Sequence, residues 1–123
     1  MRAKRVRIAV EPLGDTTSRW KAALKGKAKS SGDVITVASW DVLAKILSPT
    51  RLEMLARIPE IEPKSIAALA RSLGRDFKNV HSDVMFLAEV GLVELRKGGP
   101  RKTSIPVVRC TGIEVDFRRG AAA

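Results

Sequence analysis

The sequence predicts an α+β fold, and three observations carry that reading. Residues 39–91 place apolar side chains at helical spacing. On either side of that stretch, KRVRIAVE at 4–11, TSIPVVRC at 103–110 and GIEVDF at 112–117 read as strands. Within 63–91 the order helix, tight turn, helix is marked by Leu73-Gly74 and Asp76. At 123 residues and 45% apolar content, the chain has the length of one domain with an arm.

Residues 1–38 are expected to form a basic N-terminal arm and a candidate dimerisation element. In KRVRIAVE, Val6, Ile8 and Val10 point one way while Arg5, Arg7 and Glu11 point the other, the pattern of a half-buried strand that PLGD at 12–15 ends. TTSRWKAALKGKAK at 16–29 reads as a weak helix with Trp20 and Leu24 inward. Gly26 costs that helix about 1 kcal/mol of propensity. Between residues 1 and 29, nine Lys or Arg stand against two acidic residues. Two compatible uses of the arm stay open: lying along phosphates, or forming a solvated face beside a dimerisation strand. SSGD at 30–33 is expected to be a loop, and VITVA at 34–38 a second strand with Ile35 and Val37 on one face.

Residues 39–110 are expected to form one folded domain. Ser39 caps a helix containing Trp40, Val42, Leu43, Ile46 and Leu47. Ser48-Pro49 opens the next helix, with Pro at the first helical position, where its missing N–H costs nothing. Leu52, Leu55, Ala56 and Ile58 are expected to face inward, and PEIEP at 59–63 to end that helix.

The central unit follows. Ile66, Ala67, Leu69 and Ala70 give its first helix an apolar face, and Gly74 can take the left-handed conformation that closes it. Asp76 is placed to cap the second helix. Val80, Val84, Leu87 and Ala88 form one buried face, opposite Lys78, Asn79, His81, Ser82 and Met85. A helix buried on one side, polar on the other and entered through a short turn has the geometry of a DNA-recognition helix.

After Gly91 the pattern becomes strand-like. Leu92, Val93 and Leu95 alternate with Glu94 and Arg96, KGGPRK at 97–102 makes a basic turn, and TSIPVVRC returns. Pro106 removes one ladder donor, which requires an edge or a bulge at that point. Two strands with a Gly-rich basic tip behind such a helix make a wing, so the expected fold is a winged helix-turn-helix. Residues 111–123 add a C-terminal strand with Ile113, Val115 and Phe117, and a tail.

Net charge is +10 with a pI near 10.5, which favours a polyanionic partner, most simply nucleic acid. Cys110 is the only cysteine and His81 the only histidine, which excludes a disulfide framework and a cysteine- or histidine-rich metal site. His81, Ser82 and Asp83 are adjacent on one helix and do not face each other, so no catalytic triad is read there. No enzyme activity, metal or cofactor is expected. No run of 18 apolar residues and no signal peptide is visible, so no membrane partner and a cytoplasmic location are expected.

Residues 47–55, LSPTRLEML, and 69–93, which include GRDFKNVHSDV at 74–84, carry a resemblance. The stretch from Ser48 through Leu95 resembles winged helix-turn-helix regulators of the broad MarR/ArsR type. Within that group it is most similar to small predicted bacterial and archaeal regulators whose core reads LTPxRLELL, then LAxxLGRDYKNVHRDVxxLxxxGLV. The second motif is fairly specific and the resemblance covers about half the chain. It implies a DNA-binding transcriptional regulator, usually dimeric, and some such relatives look like the antitoxin half of toxin–antitoxin modules. Ser82 stands where that motif commonly has Arg, which removes one expected contact.

The expected function is therefore a sequence-specific regulator that binds double-stranded DNA as a homodimer. The alternatives are an antitoxin-type protein that binds a cognate toxin and autoregulates, and a non-specific architectural nucleic-acid-binding protein. Base reading is expected from Lys78, Asn79, His81 and Ser82. Phosphate contact or positioning is expected from Arg75, Phe77, Arg96, Lys97, Arg101 and Lys102. Dimerisation is expected through Val6, Ile8 and Val10 of the arm strand, pairing with or packing across a partner, and through Trp40, Leu43 and Leu47.

Overall fold

Strand β1, Arg5–Val10, lies in the middle of a four-stranded sheet of order β2-β3-β1-β6, with β2 at Ala28–Ser31, β3 at Val34–Val37 and β6 at Gly112–Asp116. The computed structural model describes residues 5–10, 28–31, 34–98 and 103–117. These residues form an α+β chain in two units, Met1–Ser48 with Cys110–Ala123, and Pro49–Arg109.

In the first unit β1 runs parallel to β3 on one side and to β6 on the other, while β2 is antiparallel to β3. The register sets Val6 beside Ile113, and Ile8 beside both Ile35 and Val115, so β1, β3 and β6 share an apolar face. Helix α1, Trp40–Ile46, contacts β1 and β3, and its Val42, Leu43 and Ile46 are buried. Ser39 starts α1 as expected, its Oγ accepting from the Val42 N–H at 3.3 Å. On the other face, Arg7 lies 3.9 Å from Glu114 and 3.6 Å from Asp116 of the neighbouring strand. These pairs are half exposed and stabilise by at most about 1 kcal/mol.

Several expectations are corrected in this unit. The arm strand is not left for a partner: both edges of β1 are paired within the chain, and Val6, Ile8 and Val10 are buried in its own core. Leu43 is buried as well. Residues 28–31 are a strand rather than the end of a helix and the start of a loop, because Ala28–Ser31 pair with Val34–Val37. The helix expected at 16–27 lies outside the described residues. The helix at 40–46 stays with the strands, so the first unit runs to Ser48 rather than 38 and resumes at Cys110. The expected C-terminal strand is present as β6 and pairs with β1 of this unit. Ile113 and Val115 pair with β1, where their side chains continue the apolar face.

The second unit contains α2 (Pro49–Ile61), α3 (Ile66–Leu73), α4 (Phe77–Val90) and an antiparallel hairpin of β4 (Glu94–Gly98) and β5 (Thr103–Val107). Met54, Leu55 and Ile58 of α2 are buried, whereas Leu52 is 40% exposed and Ala56 is exposed. The inward face of α2 is therefore rotated from the expected one, away from Leu52 and Ala56 and towards the side that carries Arg51. The helix ends at Ile61, within the 59–63 segment expected to end it, and runs two residues past Pro59. Pro59 forfeits one intrahelical bond, but the Glu62 N–H still donates to the Ile58 carbonyl at 2.9 Å, and Ile58 is buried. Ile66, Leu69, Val80, Val84, Leu87 and Val90 complete the helical core. Each fully buried side chain of this kind stabilises by roughly 1.5–3 kcal/mol. Pro106 is buried in β5 of a two-stranded sheet, where every strand is an edge and a missing donor is tolerated. Among the described residues no helix is long and apolar enough to cross a membrane.

Candidate nucleic-acid interface

The turn between α3 and α4 fixes how α4 is presented. Ser65 caps α3, its Oγ accepting from the Ala68 N–H at 2.9 Å. Gly74 ends the helix at φ 66°, a left-handed conformation that other residues adopt at a cost. The Gly74 N–H donates to Arg71 O and the Arg75 N–H to Ala70 O, each at 3.1 Å, which satisfies carbonyls at the helix end. Asp76 caps α4, its Oδ2 accepting from the Asn79 N–H at 3.3 Å. Gly91, at φ 98°, closes α4 and leads to the buried pair Leu92 and Val93.

With Val80, Val84, Leu87 and Val90 buried, α4 turns Lys78, Asn79, His81 and Ser82 outward on one exposed face. Phe77 is half exposed and stacks near His81, ring centroids 5.5 Å apart and tilted by 40°. A shallow groove lined by His81, Ser82, Met85, Phe86, Ala88 and Glu89 runs along the later turns of the same helix.

Arg75 is not free at the turn. Its Nη2 donates to Asp83 Oδ2 at 3.0 Å. Arg51 Nε of α2 lies 3.3 Å from Asp83 Oδ1, and its guanidinium sits over the Phe86 ring, 4.4 Å from the centroid. Arg51, Asp83 and Phe86 are absent from the sites expected from the sequence. The available signal was the face of α2: once Met54, Leu55 and Ile58 point inward, Arg51 shares their side of the helix.

The hairpin carries a second charged cluster. Glu94 accepts from Arg109 Nε at 3.0 Å and from Arg96 Nε at 3.2 Å. The Arg109 hydrogen bond is the main cause that holds the Glu94 carboxyl below its ordinary value; desolvation opposes it, and the charges of Arg109 and Arg96 and the Arg96 hydrogen bond add to the lowering. Lys97 Nζ donates to Ser104 Oγ at 3.4 Å across the strands. Arg101 and Lys102 lie outside the described residues. The structure thus brings Lys78, Asn79, His81 and Ser82 together on α4 and sets Arg75 at its start, while Arg96 and Lys97 stand on β4. Among the described residues no group of His, Cys, Asp and Glu could hold a metal ion.

The protein-family model described as HVO_A0114 matches residues 46–115, which run from the end of α1 into β6 and include all of α2, α3, α4 and the hairpin. No curated protein and no solved structure matches the chain. Because the matched stretch is well over half of the 123 residues, the chain belongs to the HVO_A0114 family.

Proposed function

We propose that the protein is a sequence-specific, double-stranded DNA-binding transcriptional regulator that acts as a homodimer, with Pro49–Arg109 as a winged helix-turn-helix. The observation that carries this reading is the outward face of α4, where Lys78, Asn79, His81 and Ser82 are exposed together on a helix entered through a three-residue turn. Asn offers a bidentate pairing to adenine and Lys a donor to guanine acceptors in the major groove. The hairpin that follows α4 in the chain carries Arg96 and Lys97, and on this reading it serves as the wing. A net charge of +10 supports a strong sequence-independent attraction to phosphates.

Selection of bound sequences from random duplex DNA, at a stated salt concentration, tests the proposal. The expected result is an enriched pseudo-palindromic motif with half-sites about one helical turn apart. Binding without enrichment would favour a non-specific architectural protein.

A further inference from the structure

Asp83 lies on the flank of α4, between its buried face and its exposed one. Its side chain is only 13% exposed, yet two guanidiniums converge on it. Arg75 comes from the turn before α4 and donates to Oδ2 at 3.0 Å. Arg51 comes from α2, with Nε 3.3 Å from Oδ1. The Arg51 guanidinium is also stacked on Phe86, one turn beyond Asp83 on the same helix. One carboxylate therefore joins α2, the turn and α4.

A guanidinium has five N–H donors in a rigid fork, and the hydrogen bond from Arg75 to Asp83 uses one of them. The Arg75 side chain is 30% exposed, so it reaches both the carboxylate and solvent. An arginine already held in one conformation loses less freedom on meeting an anion than one that is unrestrained. It also stands just before the N-terminus of a 14-residue helix, where negative charge is favoured.

We propose that Asp83 is a positioning residue that holds Arg75 and Arg51 as a preorganised clamp for one phosphate of the DNA backbone, beside the base-reading face of α4. The inference rests on the DNA-binding reading above. Asp83 itself touches no DNA. Its carboxylate directs the two guanidiniums, and the phosphate meets N–H donors of Arg75 that the bond to Asp83 does not use.

The test is binding of the full-length protein to one duplex over a series of salt concentrations, with thermal melts of each variant alongside. Arg75→Gln and Asp83→Asn should each weaken binding roughly ten-fold, as expected for one charge-assisted contact. Each should also lower the salt slope by about 0.9, the value for one lost phosphate contact. The double variant should fall no further than either single one, and Asp83→Glu should recover part of the slope. A purely structural Asp83 would lower the melting temperature and leave the slope unchanged, which overturns the proposal. Tighter binding by Asp83→Asn would show that the carboxylate masks the arginines, and additive losses would show that the two residues act separately; either overturns it. Should Asp83→Asn unfold, Asp83→Glu takes its place, because one extra methylene displaces the carboxylate. A slope deficit seen with Arg75 present and absent in Arg75→Gln supports the clamp, and equal deficits in both overturn it. A wild type that binds no duplex at low salt removes the DNA reading itself, and the clamp with it. In every other outcome the wild type binds and only the role of Asp83 is at stake.

Discussion

Asn79 has two separable jobs at the start of α4. Its backbone N–H is taken by the Asp76 carboxylate, which fixes the first turn of the helix. Its side chain stands exposed beside Lys78. Asn79→Ala leaves the backbone cap in place and removes only the side-chain amide. On the proposed function, discrimination between the selected site and a mutated site falls by roughly 1–3 kcal/mol, the range for one bidentate base contact. Titration of the variant with specific and scrambled duplexes measures this. Equal weakening on both, or none on either, would sink the base-reading role. Phe77 is a different case at the same scale, since its half-exposed ring already has a neighbour in His81.

The hairpin divides its basic residues by what each already touches. Arg96 shares Glu94 with Arg109, so part of its charge is compensated within the protein. Lys97 makes a long hydrogen bond to the neutral Ser104 hydroxyl, a contact that does not compensate its charge. Neutralising Lys97 together with Arg101 should weaken binding to all duplexes alike and lower the salt slope by about one per lost phosphate contact. Arg96→Ala alone should move the slope less. If the slope of the Lys97 and Arg101 double variant equals that of the wild type, the hairpin is a solvated element and the wing reading falls. The contrast with α4 is one of kind: a hairpin that meets phosphates changes affinity without changing sequence preference.

At the scale of the whole molecule, the chain leaves the first unit after Ser48 and returns to it at Cys110. Strand β1 holds the first unit together because it pairs on both sides and buries Val6, Ile8 and Val10. Removing residues 1–14 would delete the middle of the sheet, so truncation cannot isolate a dimer contact. The proposed homodimer needs apolar surface that remains outside. Trp40 is 48% exposed and Phe117 79% exposed, with ring centroids 6.3 Å apart, beside β6 at the end of the sheet order. Leu47, also expected at an interface, is half-buried at the end of α1. Trp40→Ala combined with Phe117→Ala should shift sedimentation towards monomer at micromolar concentration and leave the circular dichroism spectrum unchanged. A wild type that sediments as monomer across that range would refute the dimer, and a double variant that stays dimeric would move the contact away from this aromatic pair.

What the sequence determined by itself was local. Ser39, Gly74 and Asp76 act on backbone groups within a few residues, so the starts of α1 and α4 and the end of α3 were legible from local chemistry alone. The exposed set on α4 was legible for the same reason, since 3.6-residue periodicity separates Val80, Val84 and Leu87 from Lys78, Asn79, His81 and Ser82. Partners distant in the chain were decided only by the tertiary structure. Alternation in KRVRIAVE identifies a strand and its apolar face but says nothing of which strand lies beside it. The pairing of β1 with β3 and with β6, which begins about a hundred residues later in the chain, follows from the register that buries Ile35 and Val37 and sets the half-buried Ile113 and Val115 beside the same apolar face. AKSS has weak strand propensity and becomes β2 because β3 offers it hydrogen-bonding partners. Arg51 and Asp83 meet because α2 is rotated by its packing, and a charged pair separated by that much chain leaves no periodic trace in the sequence.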